Sequence, residues 1–473
     1  MRTVLLVALT LVAACSGPAG SSGTPNGDGG PGPDGGGNPD GAGGLGPDGG
    51  GNPEGGGARV DGPCQVTLAK ASPVCTGAGA CPAIVDATVT CSYLSWVTAG
   101  AGKDDAGYLF IEVAAQGFKS KLLSIDPSGG KSVDIAVLDD VQAGGAEVPK
   151  HLLMDAEGEP HFFHDPSPAR GASYASRGAG GWTFETVGSG MLAGSGVHVT
   201  ARGLGRVAFL SIPNVTTRDP ATAKWSTTAA TSTGQPAVFG EPTQTVALDD
   251  AGGAYVAYVD YETSPYTQST PKHVYAGPVG GGKSLHVTTD SLAISSIDMV
   301  VPDGSREPLV ALNLSDGIHV FTSGAAPSDT LVAGTAPVIV KGCDSAGCSG
   351  SCTETGDGAP QRVHTLATAA GSTWLAWRHT HVDRTFQMHE ASSEARSCER
   401  TVTADRSTTE ILLAKLDATG KADVRLRIPA TESSAFDVVS LAARGSRLFV
   451  AATVASTFEA SNVRYIELDV TKL

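Results

Sequence analysis

The chain has 473 residues, of which 17% are charged and 41% are hydrophobic, and its 62 glycines and 28 prolines are unevenly placed. The formal net charge of −16 argues against nucleic acid and against an anionic membrane face as partners, because both select a basic surface. Aromatic residues make up only 5% of the chain, which is few for a surface that stacks on sugar rings.

The first fifteen residues have the order of an export signal. Arg2 gives a short positive segment, an apolar stretch runs from Val4 to Val12, and small residues directly precede Cys15. The stretch is too short to span a bilayer as a mature helix, which indicates a cleaved signal. It resembles the signal of bacterial lipoproteins, in which the cysteine receives diacylglycerol. The resemblance implies lipid and palmitate attachment at Cys15, and an ordinary secretory signal is the alternative.

The residue after the cysteine bears on location. Ser16, and not Asp, follows Cys15. In the Gram-negative lipoproteins that the signal resembles, this favours the outer membrane over the inner one. Several acyl chains on one cysteine anchor a protein stably. We therefore expect a protein of the bacterial cell envelope that meets the membrane through its lipid anchor.

Residues 16–60 are predicted to be a disordered linker. The sequence Gly-Pro-Asp-Gly-Gly-Gly-Asn-Pro-Asp-Gly at 32–41 recurs at 46–55 with Glu54 in place of the second Asp. Such a segment has almost nothing apolar to bury, so burial cannot offset the entropy lost on ordering. As a flexible coil it would reach about 35–40 Å and hold the folded body away from the membrane.

The other eight cysteines form two groups. The early group is Cys64, Cys75, Cys81 and Cys91, and the late group is Cys343, Cys348, Cys352 and Cys398. Export to an oxidising compartment predicts four disulfides, with pairing inside each group left open. A zinc site in the late group is the alternative, although its spacing lacks the paired C-x2-C form of structural zinc sites.

From residue 61 to 473 short apolar runs recur between turn residues, with few helical periods. The segment 155–165, Asp-Ala-Glu-Gly-Glu-Pro-His-Phe-Phe-His-Asp, returns at 250–260, and a third copy lies at 202–210. The aligned glycines Gly158, Gly205 and Gly253 are 47 and 48 residues apart. Looser copies occur near residues 104, 302, 370 and 444.

Each copy is predicted to be a β-hairpin whose turn uses Asp and Gly. One hairpin per 47 or so residues is typical of a four-stranded propeller blade. Seven copies predict an all-β fold, a seven-bladed β-propeller over residues 61–473, with six or eight blades and a pair of β-sandwiches as alternatives. The first and last segments should share a blade, because the strand at 463–470 has no later partner.

One part of the repeat resembles a known family. Residues 180–187, Gly-Gly-Trp-Thr-Phe-Glu-Thr-Val, and the hairpin unit resemble repeats of bacterial exported propellers, which read GxWTxExV and then LAxDxxGxPHxAYxD. The second half is matched by Leu153, Asp155, Gly158, Pro160, His161 and Asp165. The resemblance implies a propeller distantly akin to the sialidase (BNR) repeat proteins, in which His161 is a strand residue and not a catalyst.

The last two repeat intervals are long. Gly304 to Gly371 spans 67 residues and Gly371 to Gly445 spans 74. All four late cysteines fall inside these intervals. We therefore expect insertions in two adjacent blades, linked by disulfides, and we expect the segment 330–400 to carry any binding, because loops on a rigid scaffold usually do.

No catalytic constellation is predicted, and no cofactor. His379 and His381 share one side of a strand and are weak metal candidates. The segment resembles the HxHxDH motif of metallo-β-lactamase-like hydrolases, but Arg384 stands at the last histidine position. The sequence favours a binding or scaffolding propeller for an unknown protein or envelope polymer. The alternative is an exported sialidase-like glycoside hydrolase, although no intact Asp-box is present.

Overall fold

In the computed structural model, the described part of the chain is built from β-strands. The described residues are 57–59, 64–69, 81–91, 94–102, 107–113, 119–126, 131–137, 151–154, 158–164, 172–178, 181–187, 198–202, 206–211, 214–230, 244–261, 272–280, 285–289, 294, 296–322, 328–334, 338–343, 348–357, 364–392, 397–430, 436–457 and 460–473. The predicted signal, Cys15 and Cys75 therefore lie outside the described residues, as does nearly all of the predicted linker.

Three strands precede the first blade: β1 (Gly57–Arg59), β2 (Cys64–Leu68) and β3 (Ala83–Cys91). β1 lies near the C-terminal end of the segment predicted as linker and pairs with β2. The pairing of β2 with β3 places Cys64 opposite Cys91. Cys81 is disulfide-bonded.

The first five blades are four-stranded antiparallel sheets, and in each sheet the strands follow one another in chain order. Blade one is β4 (Leu94–Ala101), β5 (Gly107–Val113), β6 (Lys119–Asp126) and β7 (Lys131–Val137). Blade two is β8 (His151–Met154), β9 (Pro160–His164), β10 (Ala172–Gly178) and β11 (Gly181–Val187). Blade three is β12 (His198–Arg202), β13 (Arg206–Ser211), β14 (Asn214–Asp219) and β15 (Lys224–Ala229). Blade four is β16 (Gln244–Leu248), β17 (Ala254–Tyr261), β18 (Lys272–Pro278) and β19 (Leu285–Thr289). Blade five is β20 (Ser296–Val300), β21 (Leu309–Leu314), β22 (Gly317–Thr322) and β23 (Ser328–Gly334).

The last two blades complete the ring. Two added strands, β24 (Ile339–Lys341) and β25 (Gly350–Asp357), precede blade six. Blade six is β26 (His364–Ala369), β27 (Ser372–Ser392), β29 (Thr408–Leu416) and β30 (Ala422–Pro429), with β28 (Ser397–Asp405) beside the far half of β27. Blade seven is β31 (Phe436–Arg444), β32 (Arg447–Thr457), β33 (Ala460–Asp469) and β3, followed by a 3-10 turn at Val470–Lys472.

Contacts between inner strands confirm a seven-bladed propeller. The first strand of each blade contacts the first strand of the next, in the order β4, β8, β12, β16, β20, β26 and β31, and β31 contacts β4 again. As predicted, the two ends of the folded chain share one sheet, because β3 pairs with β33 in blade seven. Within the described residues, no helix is long and apolar enough to cross a membrane.

Apolar cores fill the spaces between blades. Leu309 and Val320 of blade five pack with Leu375 and Leu412 of blade six, and the other described junctions repeat this arrangement. Because a blade is covered on both faces, its middle strands bury consecutive residues, as β21 does over its whole length. Such strands read as continuous apolar runs and not as an alternating pattern.

The predicted hairpins are the turns between the first and second strands of the blades, and neighbouring turns hydrogen-bond to each other. Asp250 accepts the amide of Gly304 in the next blade at 2.6 Å, while the preceding Asp249 accepts Gly253 N at 2.7 Å within its own turn. The left-handed residue of this turn is Gly252, with φ of +84°. In this turn Asp249 and Gly252 therefore shape the hairpin, while the repeated Asp250 bonds to the neighbouring blade.

A polar bond also joins blades five and six near the axis. Asp298 on β20 accepts the backbone N–H of Leu366 on β26 at 2.7 Å and that of Met299 at 2.8 Å. Burial raises the pKa of the Asp298 carboxyl to about 6, against the lowering effect of these hydrogen bonds.

Candidate functional site

The main departure from a plain propeller is a sheet that projects from blade six, which we call the blade-six extension. It consists of β24, β25, residues 382–392 of β27, and β28. The near half of β27 pairs with β26 and with β29 up to His381, as in an ordinary blade. The remaining residues continue beyond the blade, and at strand rise they project by roughly 35 Å.

Both long repeat intervals contribute to this one sheet. The first lies between β23 and β26 and forms β24 and β25, and the second lies inside blade six and forms the far half of β27 and β28. The strand order in the extension is β24-β25-β27-β28. The predicted disulfide link between the two insertions is confirmed, but both insertions join the sheet of blade six, where one insertion in each of two adjacent blades was expected. Repeat spacing counts the extra residues but does not show that the two segments pair.

Two disulfides hold the extension together. Cys343 bonds to Cys352 with a Cα–Cα distance of 5.0 Å, and Cys348 bonds to Cys398 at 5.2 Å and joins the two inserted segments. The prediction that the late cysteines form disulfides is confirmed, and both bonds lie inside the group, so these sulfurs are bonded to each other and do not form the alternative zinc site. Disulfides stabilise by about 2–4 kcal/mol each, which suits a sheet with little apolar core.

One face of the extension carries ordered charges around a small core. Phe386 is buried beside Cys352, and the Arg400 guanidinium lies 5.0 Å from the centre of its ring. In the next row, Arg384 Nε donates to Asp405 Oδ2 at 2.9 Å. A hydrogen bond from Ser407, followed by the effect of Arg384, lowers the pKa of Asp405.

The opposite face is polar and open. It presents hydroxyl and amide side chains in register across three strands, namely Ser351, Thr353, Thr355, Thr385, Gln387 and Thr401. Most of these side chains are exposed. Such a surface offers hydrogen-bond donors and acceptors to a partner.

Exposed apolar side chains collect at the edges of the extension. Ile339 and Val340 on β24 are 51% and 45% exposed, and Val402 on β28 is 54% exposed. The other large hydrophobic residues that are exposed in the described part are Leu331 (50%) and Val424 (41%), on the outer strands of blades five and six. Ile339 and Val340 are neighbours on one edge strand, whereas Val402 lies on the strand at the opposite edge.

The histidines predicted as weak metal candidates lie at the base of the extension. His381 Nδ1 is 2.8 Å from Asp357 Oδ1, and His379 Nε2 is 3.6 Å from the same oxygen. Among the residues that the structure describes, no three His, Cys, Asp or Glu side chains are arranged to hold a metal ion. Both histidines lie beside Asp357 at the end of β25, and His381 hydrogen-bonds to it.

A polar cluster between blades two and three has the residue types that glycoside hydrolysis uses. Arg218 Nε donates to Glu185 Oε2 at 3.0 Å and Trp225 Nε1 donates to the same oxygen at 2.9 Å. Burial by itself raises the pKa of Glu185, but these hydrogen bonds outweigh it and hold the pKa below its ordinary value. Tyr174 lies beneath Arg218, is fully buried, and bonds His161. The cluster joins two blades and leaves its tyrosine closed to a substrate.

A second such cluster lies between blades seven and one. Tyr465 donates to Glu467 Oε1 at 2.8 Å, and both side chains are fully buried. Burial raises the pKa of Tyr465 well above its ordinary value. A Cβ on Gly107 of β5 would overlap the Tyr465 hydroxyl. Gly107 therefore allows blade one to sit against blade seven, and sequence reasoning missed it because a strand glycine shows no partner.

Comparison with known proteins adds little beyond the fold. No family model matches the chain, and no curated protein matches it. Solved structures that resemble it include TolB from Acinetobacter baumannii, at 10% identity over 74% of this chain and 77% of that one, with a TM-score of 0.29. The SapL1 lectin in complex with alpha methyl fucoside matches at 9% identity over 77% and 93%, with a TM-score of 0.31. Trypanosoma rangeli sialidase matches at 9% identity over 79% and 55%, with a TM-score of 0.33.

Proposed function

We propose that this protein is a binding or scaffolding propeller whose recognition surface is the blade-six extension. The propeller supplies a rigid base, since its blades are joined by apolar cores and by bonds between neighbouring turns. The extension supplies a surface that projects from this base and has exposed apolar edges. The partner we propose is a protein or a polymer of the cell envelope.

The observation that carries the proposal is the convergence of two separate inserted segments in one sheet. The Cys348–Cys398 disulfide joins them across 50 residues of sequence. The ring closes through β31 and β4 without either segment. Because ring closure does not need the extension, its two disulfides and its register indicate a surface that is maintained for contact.

We further propose that the protein is anchored in the bacterial outer membrane through lipid on Cys15. The residues between Cys15 and β1 would then act as a spacer between the anchor and the propeller. The support is the order of the signal residues in the sequence. Replacement by Cys15→Ser should move the protein to the soluble fraction, and continued acyl incorporation in that variant would contradict the anchor.

Site-specific photo-crosslinking tests the recognition surface. A photoreactive amino acid is placed at Ile339 or Val340 in the extension, and at Leu331 or Val424 as matched controls on the blade body with similar exposure. We expect one discrete heterologous adduct from the extension positions in intact cells and none from the controls. Adducts formed equally from all four positions, or from the controls alone, would contradict the proposal.

The alternative of a sialidase-like hydrolase lacks a favouring observation. Tyr174, which lies beside the Glu185–Arg218 pair, and Tyr465, which donates to Glu467, are fully buried. A tyrosine nucleophile must reach its substrate, so neither cluster suits that chemistry. We therefore propose binding and not hydrolysis.

A further inference from the structure

The outer edge of the blade-six extension is an uncovered strand. β28 runs from Ser397 to Asp405 and pairs with β27 along one side. Along its other side the described part of the chain places no strand, and residues 399–406 are all exposed. β28 and β29 pair one after the other along the same side of β27. The next strand of the blade, β30, pairs with β29 as far as Glu410 and Pro429. Among the described residues, no strand continues beside β28 from the point where β30 ends.

The charges along β28 would be complementary between two copies of the strand that lie antiparallel to each other. Residues 399–406 read Glu-Arg-Thr-Val-Thr-Ala-Asp-Arg. If two copies lie antiparallel about a midpoint between Val402 and Thr403, Glu399 faces the second copy's residue 406, an arginine. In the same register Arg400 faces the second copy's residue 405, an aspartate. Opposite charges that face each other across strands stabilise a sheet, and like charges destabilise it.

A β-bulge puts these charges on the correct faces. In a regular strand, Glu399 and Arg406 would point to opposite faces, and so would Arg400 and Asp405. The register along β27 shifts by one residue, because Thr385 pairs with Ala404 while the next residue, Phe386, pairs with Val402. The extra residue is Thr403, whose hydroxyl donates to Thr385 O at 3.0 Å. Because of this shift, Glu399 lies on the same face of the sheet as Arg406, and Arg400 lies on the same face as Asp405.

We propose that β28 is the surface through which two copies of this chain pair, edge to edge and antiparallel around a two-fold axis. A two-fold axis makes the same patch contact itself, which requires a self-complementary pattern of this kind. The backbone groups of both edges would be satisfied, as when a strand is added to an open sheet. A pairing that placed Arg400 opposite itself would bring like charges together, so the charges also select the register. Charged residues and bulges usually protect edges from such pairing. Here the bulge restores complementarity.

The proposal does not depend on the partner of the extension or on the lipid anchor. The contact involves one strand per copy, so we expect a reversible dimer and not an obligate one. The edge apolar residue Val402 would be covered in the dimer. Ile339 and Val340 lie on the opposite edge and would remain open to a different partner.

Charge reversal at the outer pair tests the register. Sedimentation equilibrium is measured on the full chain carrying Cys15→Ser, with Glu399→Arg, with Arg406→Glu, and with both changes together. Each single change places like charges in both symmetric contacts and should weaken the dimer about tenfold. The double variant exchanges the charges and should restore the dimer. Glu307→Arg on an exposed turn of blade five is the matched control and should change nothing.

Mixing the two single variants gives a second, independent readout. One copy then carries Arg at both positions and the other carries Glu at both, so a heterodimer is complementary while each homodimer is repulsive. We expect the mixture to form dimers that neither variant forms alone. A chain that stays monomeric at all concentrations, single variants that dimerise like the parent, or a mixture without heterodimers would each overturn the proposal.

Discussion

A buried ion pair lies between β3 and β33, where the ring closes, and one substitution removes it. Arg464 on β33 donates to both carboxylate oxygens of Asp86 on β3, at 3.2 and 2.9 Å, and its third donor reaches Pro429 O at 2.7 Å. Both side chains are buried. Arg464→Met keeps much of the side-chain volume but removes the guanidinium that pairs with the buried Asp86 carboxylate.

Breaking a buried pair on one side costs about 3–5 kcal/mol, because an uncompensated charge stays buried. Replacing both partners with apolar residues of similar size is often close to neutral. We therefore expect Arg464→Met to lower the free energy of unfolding by about 3–5 kcal/mol, and Asp86→Leu with Arg464→Met to recover most of that loss. Urea unfolding followed by circular dichroism measures both values.

A surface pair provides the matched control. Arg427 pairs with Glu410 on neighbouring strands of blade six, and the Arg427 side chain is 62% exposed. Exposed pairs contribute about 0–1 kcal/mol, so Arg427→Met should have little effect. An equal loss in Arg464→Met and Arg427→Met would refute the reasoning, since burial would then play no part.

Three further predictions concern other junctions. Because the pKa of Asp298 is raised to about 6 from 3.8, its contribution to stability is full below pH 3.8 and is lost as pH rises through about 6. The free energy of unfolding, measured with urea, should therefore fall by about 3 kcal/mol between pH 3.8 and pH 6 because of this group, and Asp298→Asn should remove that fall. The same pH dependence of stability in both proteins would contradict this. Replacing Cys348 and Cys398 together with Ser should open the extension to limited proteolysis while the melting temperature of the blades stays within a few degrees. Cleavage first in the blades would count against an independent propeller. Gly107→Ala should destabilise the ring by about 1–3 kcal/mol, because the new Cβ would overlap the Tyr465 hydroxyl and Glu467 Oε1, and an unchanged free energy of unfolding would contradict this.

The number of blades could be predicted from the sequence because each blade repeats one turn motif. The Asp-Gly turn lies between the first two strands of a blade, and its spacing reports the size of the blade. The closure was also readable, since the strand at 463–470 needs a partner from elsewhere in the chain, and β3 provides it. These features depend on local turn chemistry and on the need to pair every strand.

The candidate site was readable only in part. The spacing predicted that the segment 330–400 was extra, and the cysteines predicted that it was linked. Local spacing does not report long-range pairing, so the meeting of β25 with the far half of β27 could not be read. The bulge at Thr403 is likewise a property of the register with β27 and has no sequence signal of its own. His379 and His381 suggested a metal, but their contact with Asp357 depends on a strand pairing that the sequence does not show.

The central claim is that the blade-six extension carries recognition and that the propeller only supports it. Removal of the extension tests this most directly, with residues 335–363 and 382–407 replaced by short turns that lack all four late cysteines. We expect a folded propeller of similar melting temperature that no longer binds the partner crosslinked at Ile339. A trimmed protein that keeps this partner with unchanged affinity would contradict the account and place the site elsewhere on the ring.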